Sequence, residues 1–209
     1  MQTSCALQDA GYRMSAANEP NDEYLMDLLS RGQEDALATL VRRYQNDVFR
    51  FCLHYVKNVE SAKEMAQETF LRIYVARDRF DVDRKFKPWM LCIARNLCLN
   101  ELKRKKTVQM DTFEEYASAS REHSGLLLQS ASDGPAEALM GDERRQALLS
   151  MLDELPADAF ELVMLRYFER LSAREIADVV DSTEGAVRTR LHRILKQLRD
   201  RYAPLKNEL

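Results

Sequence analysis

A chain of 209 residues, 45% apolar and 31% charged, has material for one large core or two small ones. Its 6 glycines and 5 prolines favour helices over turn-rich sheets. A net charge of −3 excludes a protein that coats nucleic acid through bulk positive charge, and no run of about 18 apolar residues is present to span a membrane. With no basic-then-apolar leader at its start, the chain reads as cytoplasmic, without membrane insertion.

Residues 1–21 are small and polar without helical period and read as a disordered N-terminal extension. From Asp22 a helical pattern begins. Leu25, Leu28 and Leu29 mark a first helix, and Leu37, Leu40, Val41, Tyr44, Val48, Phe51, Cys52 and Tyr55 mark a long second one at spacings of three and four. Asn58 is an N-cap for a third, with the inner stripe Ala62, Met65, Ala66, Thr69, Phe70 and Ile73. A polar turn over residues 79–84 follows, and Pro88 sits where a first helical turn tolerates it. The fourth helix carries Phe86, Trp89 and a dense set of cations.

Charge is laid down in blocks. Residues 84–106 hold Arg84, Lys85, Lys87, Arg95, Lys103, Arg104, Lys105 and Lys106 against the single acid Glu101. Residues 111–143 hold Asp111, Glu114, Glu115, Glu122, Asp133, Glu137, Asp142 and Glu143 against Arg121. Period fails over residues 107–140, which end in Ser132-Asp133-Gly134-Pro135 and read as an acidic linker.

A second helical domain spans residues 141–209. Leu148, Leu149 and Leu152 make one helix, Leu155-Pro156 breaks it, and Phe160, Val163, Met164, Tyr167 and Phe168 stripe the next. Ser172-Ala173-Arg174-Glu175 is a capping box opening a short helix with Ile176, Ala177, Val179 and Val180. After Asp181-Ser182-Thr183 a longer helix buries Val187, Leu191, Ile194, Leu195 and Leu198. Short helix, tight turn and long helix make a helix-turn-helix, so the fold class is all-α, two small helical domains joined by a flexible acidic linker.

Two basic elements carry the chemistry. The last helix offers Arg188, Thr189, Arg190, His192, Arg193, Lys196 and Arg199, and arginines on the N-terminal half of such a helix suit guanine edges and phosphates in a major groove. On the fourth helix Phe80, Phe86 and Trp89 lie beside Lys85, Lys87 and Arg95, an interleaving that suits unstacked bases and their backbone; the pattern alone fits equally a tryptophan that fills the core. The cysteines at 5, 52, 92 and 98 and the histidines at 54, 123 and 192 show no ligand spacing. Cys52, Cys92 and Cys98 therefore read as buried reduced thiols. With no nucleophile set and no glycine-rich phosphate loop, neither a catalytic function nor a cofactor is expected.

Residues 62–74 (AKEMAQETFLRIY), residues 87–96 (KPWMLCIARN), Glu175-Ile176-Ala177 and residues 184–191 (EGAVRTRL) together closely resemble a bacterial RNA polymerase sigma factor of the extracytoplasmic-function group. The resemblance covers residues 22–202. It implies that residues 22–106 bind polymerase core and open the −10 element and that residues 141–209 read the −35 element.

By position, Glu64, Gln67, Glu68 and Arg72 would face the β′ coiled coil, and the β flap is a second implied core contact. The Phe80–Phe86 loop would capture a flipped base with Asn96 lining its pocket, and Trp89 would act as a wedge where the duplex parts. Flipping costs a few kcal/mol per base, so the extruded base needs a stacking surface. Lys85, Lys87, Arg95, Lys103 and Arg104 would neutralise the opened strand. Arg188, Thr189, Arg190, His192 and Arg193, with Lys196, would read the −35 element.

The resemblance further implies an anti-sigma partner and no homo-oligomer. The linker would either thread the polymerase as a nucleic-acid mimic or serve as a solvated tether. Asp181-Ser182 departs from the glycine and apolar residue usual in that turn; aspartate tolerates the left-handed conformation the turn needs. The rival reading is a free-standing helix-turn-helix regulator, which would leave residues 61–74 without a role.

Overall fold

The computed structural model describes residues 20–109 and 155–202, with side chains to residue 105 in the first stretch and to residue 201 in the second. The N-terminal extension, most of the acidic linker, the expected helix with Leu148, Leu149 and Leu152, and residues 203–209 lie outside the described residues. Every described element is helical.

In the first domain α1 (Asp22–Ser30), α2 (Asp35–Val56), α3 (Val59–Val75) and α4 (Phe86–Gln109) enclose one core, with a single 3-10 turn at Arg77–Arg79 before the loop into α4. The helix starts follow from local chemistry. Asn21 caps α1 by accepting from the Tyr24 amide, and Asn58 caps α3 by accepting from the Ser61 amide at 2.9 Å. Lys57 ends α2 in the left-handed region at φ 50°, which turns the chain sharply into α3.

Most residues of the expected stripes are buried, with Leu37, Val41, Tyr55 and Met65 only partly so at the core's edge: Leu40, Val48, Phe51 and Cys52 of α2 pack with Ala62, Thr69, Phe70 and Ile73 of α3 and with Phe86, Met90, Leu91, Ala94 and Cys98 of α4. Burying a side chain such as Phe86 contributes on the order of 2 kcal/mol, so a dozen such groups fix the orientation of α4. Glu23 of α1 adds a polar tie: its carboxylate accepts from the Phe86 amide at 3.1 Å, placing negative charge at the exposed N-terminus of α4.

The second domain contributes α5 (Ala157–Val163), which runs into a π-helical segment (Met164–Phe168), then α6 (Ala173–Val180) and α7 (Glu184–Tyr202). The π segment departs from the expected even stripe. Its wider turn carries Tyr167 off the buried face to 52% exposure, while Phe160, Val163 and Met164 stay inside. The capping box is present as read: Ser172 Oγ accepts from the Glu175 amide and the Glu175 carboxylate accepts from the Ser172 amide at 2.7 Å. Asp181 sits at φ 53°, ψ 59°, so the substituted turn adopts the left-handed geometry without glycine. Ile176, Ala177 and Val179 of α6 and Val187, Leu191 and Ile194 of α7 form the seam between the two helices.

Of the thiols, Cys52 and Cys98 are buried as expected. Cys92 differs in being only half-buried, because it lies at the rim of a cleft between the domains. A hydrogen bond with Cys98, then burial, holds the Cys52 thiol far above its ordinary value, which keeps it protonated and unreactive.

Candidate nucleic-acid and polymerase interfaces

Three surfaces hold the residues singled out in the sequence. The first is the outer face of α3. Glu64, Gln67 and Arg72 are exposed, and Arg72 Nε donates to Glu68 Oε1 at 2.8 Å one turn away. On the same stretch Leu71 and Val75 are 60% and 77% exposed. Sequence reading passed over these two. The signal available was their position off the stripe that buries Ala66, Phe70 and Ile73.

The second surface runs along α4 and the loop before it. Phe80 and Trp89 are half-buried with ring centroids 5.0 Å apart, and Phe86 lies 6.2 Å from Trp89. The three rings divide the work. Phe86 is fully buried and stacks toward Tyr44, so it belongs to the core, while Phe80 and Trp89 form a partly open aromatic ledge above it. Lys85 is 72% exposed beside that ledge, and Asn96 is exposed with its amide 3.7 Å from Cys92 Sγ. Further along, Lys103 and Arg104 are exposed, and both Nε and one terminal nitrogen of Arg104 donate to the Glu101 carboxylate at 2.9 Å.

Two cations of this face are engaged across the domain boundary. Arg95 Nε donates to Glu161 Oε1 at 2.5 Å, and Lys87 Nζ lies 2.8 Å from Glu169 Oε2. Burial works against the Arg95 charge, but the Glu161 carboxylate outweighs it and holds the guanidinium pKa above its ordinary value. Tyr55 donates its hydroxyl to the same Glu161 oxygen, and burial followed by that carboxylate pushes the phenol pKa up. His54 stacks on Phe160 with ring centroids 4.0 Å apart. Its imidazole is pushed down to about 3, first by burial and then by neighbouring Lys57, and so is neutral near pH 7. None of these cross-domain partners was legible in the sequence, because no local pattern links residues 66 or 106 positions apart.

The third surface is the solvent face of α7. Thr183 accepts from the Ala186 amide at 3.2 Å and starts the helix. Arg188, Thr189, Arg190, His192, Arg193 and Lys196 are all exposed on it, opposite the buried seam. Arg188 lies 2.5 Å from Glu184 and Thr189 Oγ1 donates to the Gly185 carbonyl, so both side chains are held close to the helix N-terminal turn. Among the described residues no cluster of metal-ligating side chains occurs, and no helix is long and apolar enough to cross a membrane.

The chain matches the family models "Sigma-70 region 2" over residues 40–108 and "Sigma-70, region 4" over residues 145–198. It is 33% identical over 178 residues to the ECF RNA polymerase sigma factor SigW of Bacillus subtilis, an alignment covering 82% of this chain and 94% of SigW. It is 30% identical over 188 residues to the ECF RNA polymerase sigma-E factor of Escherichia coli, covering 88% and 95%. In fold it is similar to CnrH, solved with the cytosolic domain of CnrY (TM-score 0.60, 22% identity, 90% of this chain and 99% of that one). It is similar too to the sigma factor RpoE of Bartonella quintana, solved with the anti-sigma factor NepR (TM-score 0.59, 18% identity, 80% and 96%). The region 2 match spans residues 61–74, which a free-standing regulator would leave without a role, and the sigma-factor relatives favour the polymerase subunit over that rival. The chain belongs to the ECF sigma factors, the subunits that direct RNA polymerase to promoters at the start of transcription.

Proposed function

We propose that the three surfaces divide the work of initiation. Residues 22–106 act as the region that holds polymerase core and opens the −10 element, residues 107–140 as the acidic linker, and residues 141–209 as the reader of the −35 element. Glu64, Gln67, Glu68 and Arg72 bind the β′ coiled coil, with Leu71 and Val75 adding apolar area to the same face. The second domain meets the β flap. Arg188, Thr189, Arg190, His192, Arg193 and Lys196 enter the major groove, where arginine can pair with guanine edges and lysine with phosphate. Phe80 and Trp89 stack against an extruded base near Asn96, and Lys85, Lys87, Arg95, Lys103 and Arg104 follow the displaced strand's backbone.

The observation that carries this reading is the aromatic ledge: Phe80 and Trp89, 5.0 Å apart, are left partly open above a fully buried Phe86, and Trp89 lines a cleft together with Arg84 and Lys85.

The subunit works without catalytic chemistry of its own and in the cytoplasm, and its activity is held by an anti-sigma partner, as RpoE of Bartonella quintana was solved with NepR. The test is permanganate footprinting of a cognate promoter. Trp89→Ala holoenzyme retains core binding but opens the −10 region less; opening equal to wild type would remove Trp89 from strand separation.

A further inference from the structure

The aromatic ledge stands on a helix that its own sequence does not cap. Lys85, the residue before α4, carries no side-chain acceptor, and Pro88 in the first turn has no amide, which leaves the Phe86, Lys87 and Trp89 amides at that end. The acceptor comes from α1, 63 positions earlier: Glu23 Oε1 takes the Phe86 amide at 3.1 Å and lies 3.9 Å from Lys85 Nζ. The Glu23 side chain is 16% exposed, so little water competes for the bond. Its neighbour grips the same place from behind. Asp22 accepts from the Tyr44 hydroxyl and from Arg43, and the Tyr44 ring lies 5.6 Å from the Phe86 ring. Arg43 also donates to the Pro20 carbonyl at 3.2 Å, while Leu25, Met26 and Leu29 bury the inner side of α1. Two consecutive acids thus hold Phe86 twice, Glu23 by its amide and Asp22 through the ring it packs against. Phe86 in turn carries the ledge, 6.1 Å from Phe80 and 6.2 Å from Trp89. Trp89 follows three residues later, inside the turn that Glu23 caps, and keeps its place only while that turn is wound.

We propose that Glu23 is a positioning residue for strand opening: by capping α4 from α1 it keeps the first turn of that helix wound and the ledge of Phe80 and Trp89 preformed for an extruded base. The proposal rests on the reading of Phe80 and Trp89 as strand-capturing. Glu23 does not touch the strand; it acts through the Phe86 amide. A ledge already in place costs nothing more to order when a base arrives, whereas a frayed turn must first be rewound, and that cost is subtracted from capture. The rest of the first domain does not hang on this contact. Met90, Leu91 and Ala94 are fully buried with Phe51 and Ile73 and hold α4 beyond its first turn.

The test compares the full chain with Glu23→Ala, Glu23→Asp, Glu23→Gln and Trp89→Ala variants. Holoenzymes made with the host's core are read by permanganate reactivity at a cognate promoter and by competition for core. The free chains are read by acrylamide quenching of Trp89, the one tryptophan present. Glu23→Ala lowers opening about fivefold, the equilibrium effect of losing one helix N-cap, leaves core affinity unchanged and makes Trp89 more open to the quencher. Glu23→Asp keeps the charge but falls one methylene short of the amide, and opening drops with it. Glu23→Gln keeps an acceptor at full reach and restores most of the opening; charge alone would rank these two in reverse. Wild-type opening by Glu23→Ala, with Trp89→Ala defective, would overturn the positioning and leave the strand-capturing reading standing. Wild-type opening by Trp89→Ala would remove that reading and the proposal with it. Core affinity lost in step with opening would make Glu23 a structural residue only, and overturn the proposal. Should Glu23→Ala fail to fold, the comparison of Glu23→Asp with Glu23→Gln decides, and equal opening by the two would overturn it.

Discussion

Asp181 ends α6 at φ 53°, a backbone region that costs most L-residues roughly 1–2 kcal/mol and glycine almost nothing. Replacing it tests how much strain the helix-turn-helix carries. Asp181→Gly raises the unfolding free energy of the second domain by about 0.5 kcal/mol, the relieved strain less the extra freedom glycine gains when unfolded, and Asp181→Val lowers it; urea melts read both. A gain with valine would mean the turn is not held left-handed in solution.

His54 sets a second expectation at this scale. Its folded pKa is about 3, below the ordinary 6.5, so the unfolded chain takes up a proton between those values and the folded chain does not. Stability is therefore complete above pH 6.5 and declines as pH falls through 6 and 5. His54→Phe flattens that upper part of the acid limb in melts taken from pH 7 to 5, and an unchanged limb would place His54 in water. Ser172, Glu175 and Asn58 were readable because a cap is a local event, two residues within one turn. His54 on Phe160 and Arg95 on Glu161 were not, because the partners lie far apart in the chain and no local pattern links them.

At the scale of elements, apolar spacing gave α2, α3, α4 and the helix-turn-helix directly, since each buries one stripe. It misjudged Tyr167 because a stripe count assumes an even α turn, and the π segment at Met164–Phe168 inserts a wider one. It passed over Leu71 and Val75 for the complementary reason: a pattern search looks for the buried side. The polar face of α3 carries its own test. Gln67→Ala with Glu68→Ala weakens binding to polymerase core in competition assays while leaving the melting curve within about 0.5 kcal/mol, as exposed sites do; wild-type affinity would sink the assignment. For α7, Arg190→Ala costs about 1–3 kcal/mol at the cognate promoter, read as reduced transcription with altered preference at one base position. Unchanged preference would move the reading face elsewhere on the helix.

At the scale of the whole molecule, the segregation of charge is plain in the order of the residues alone. Basic residues gather at 84–106 and acids at 111–143, and a net charge of −3 conceals both. What that order could not convey is that acids outside the acidic run, Glu161, Glu169 and Asp178, meet the basic helix across the domain boundary. Three cations of the basic run, Arg84, Lys87 and Arg95, meet them, while Lys85 and Arg104 stay exposed.

The most direct measurement is transcription from total genomic DNA of the host by its own polymerase core, with and without this chain, followed by sequencing of the transcript starts. The account predicts starts that appear only with the chain and lie downstream of one shared two-part motif. Starts without such a motif, or none at all with the host's core, would contradict it.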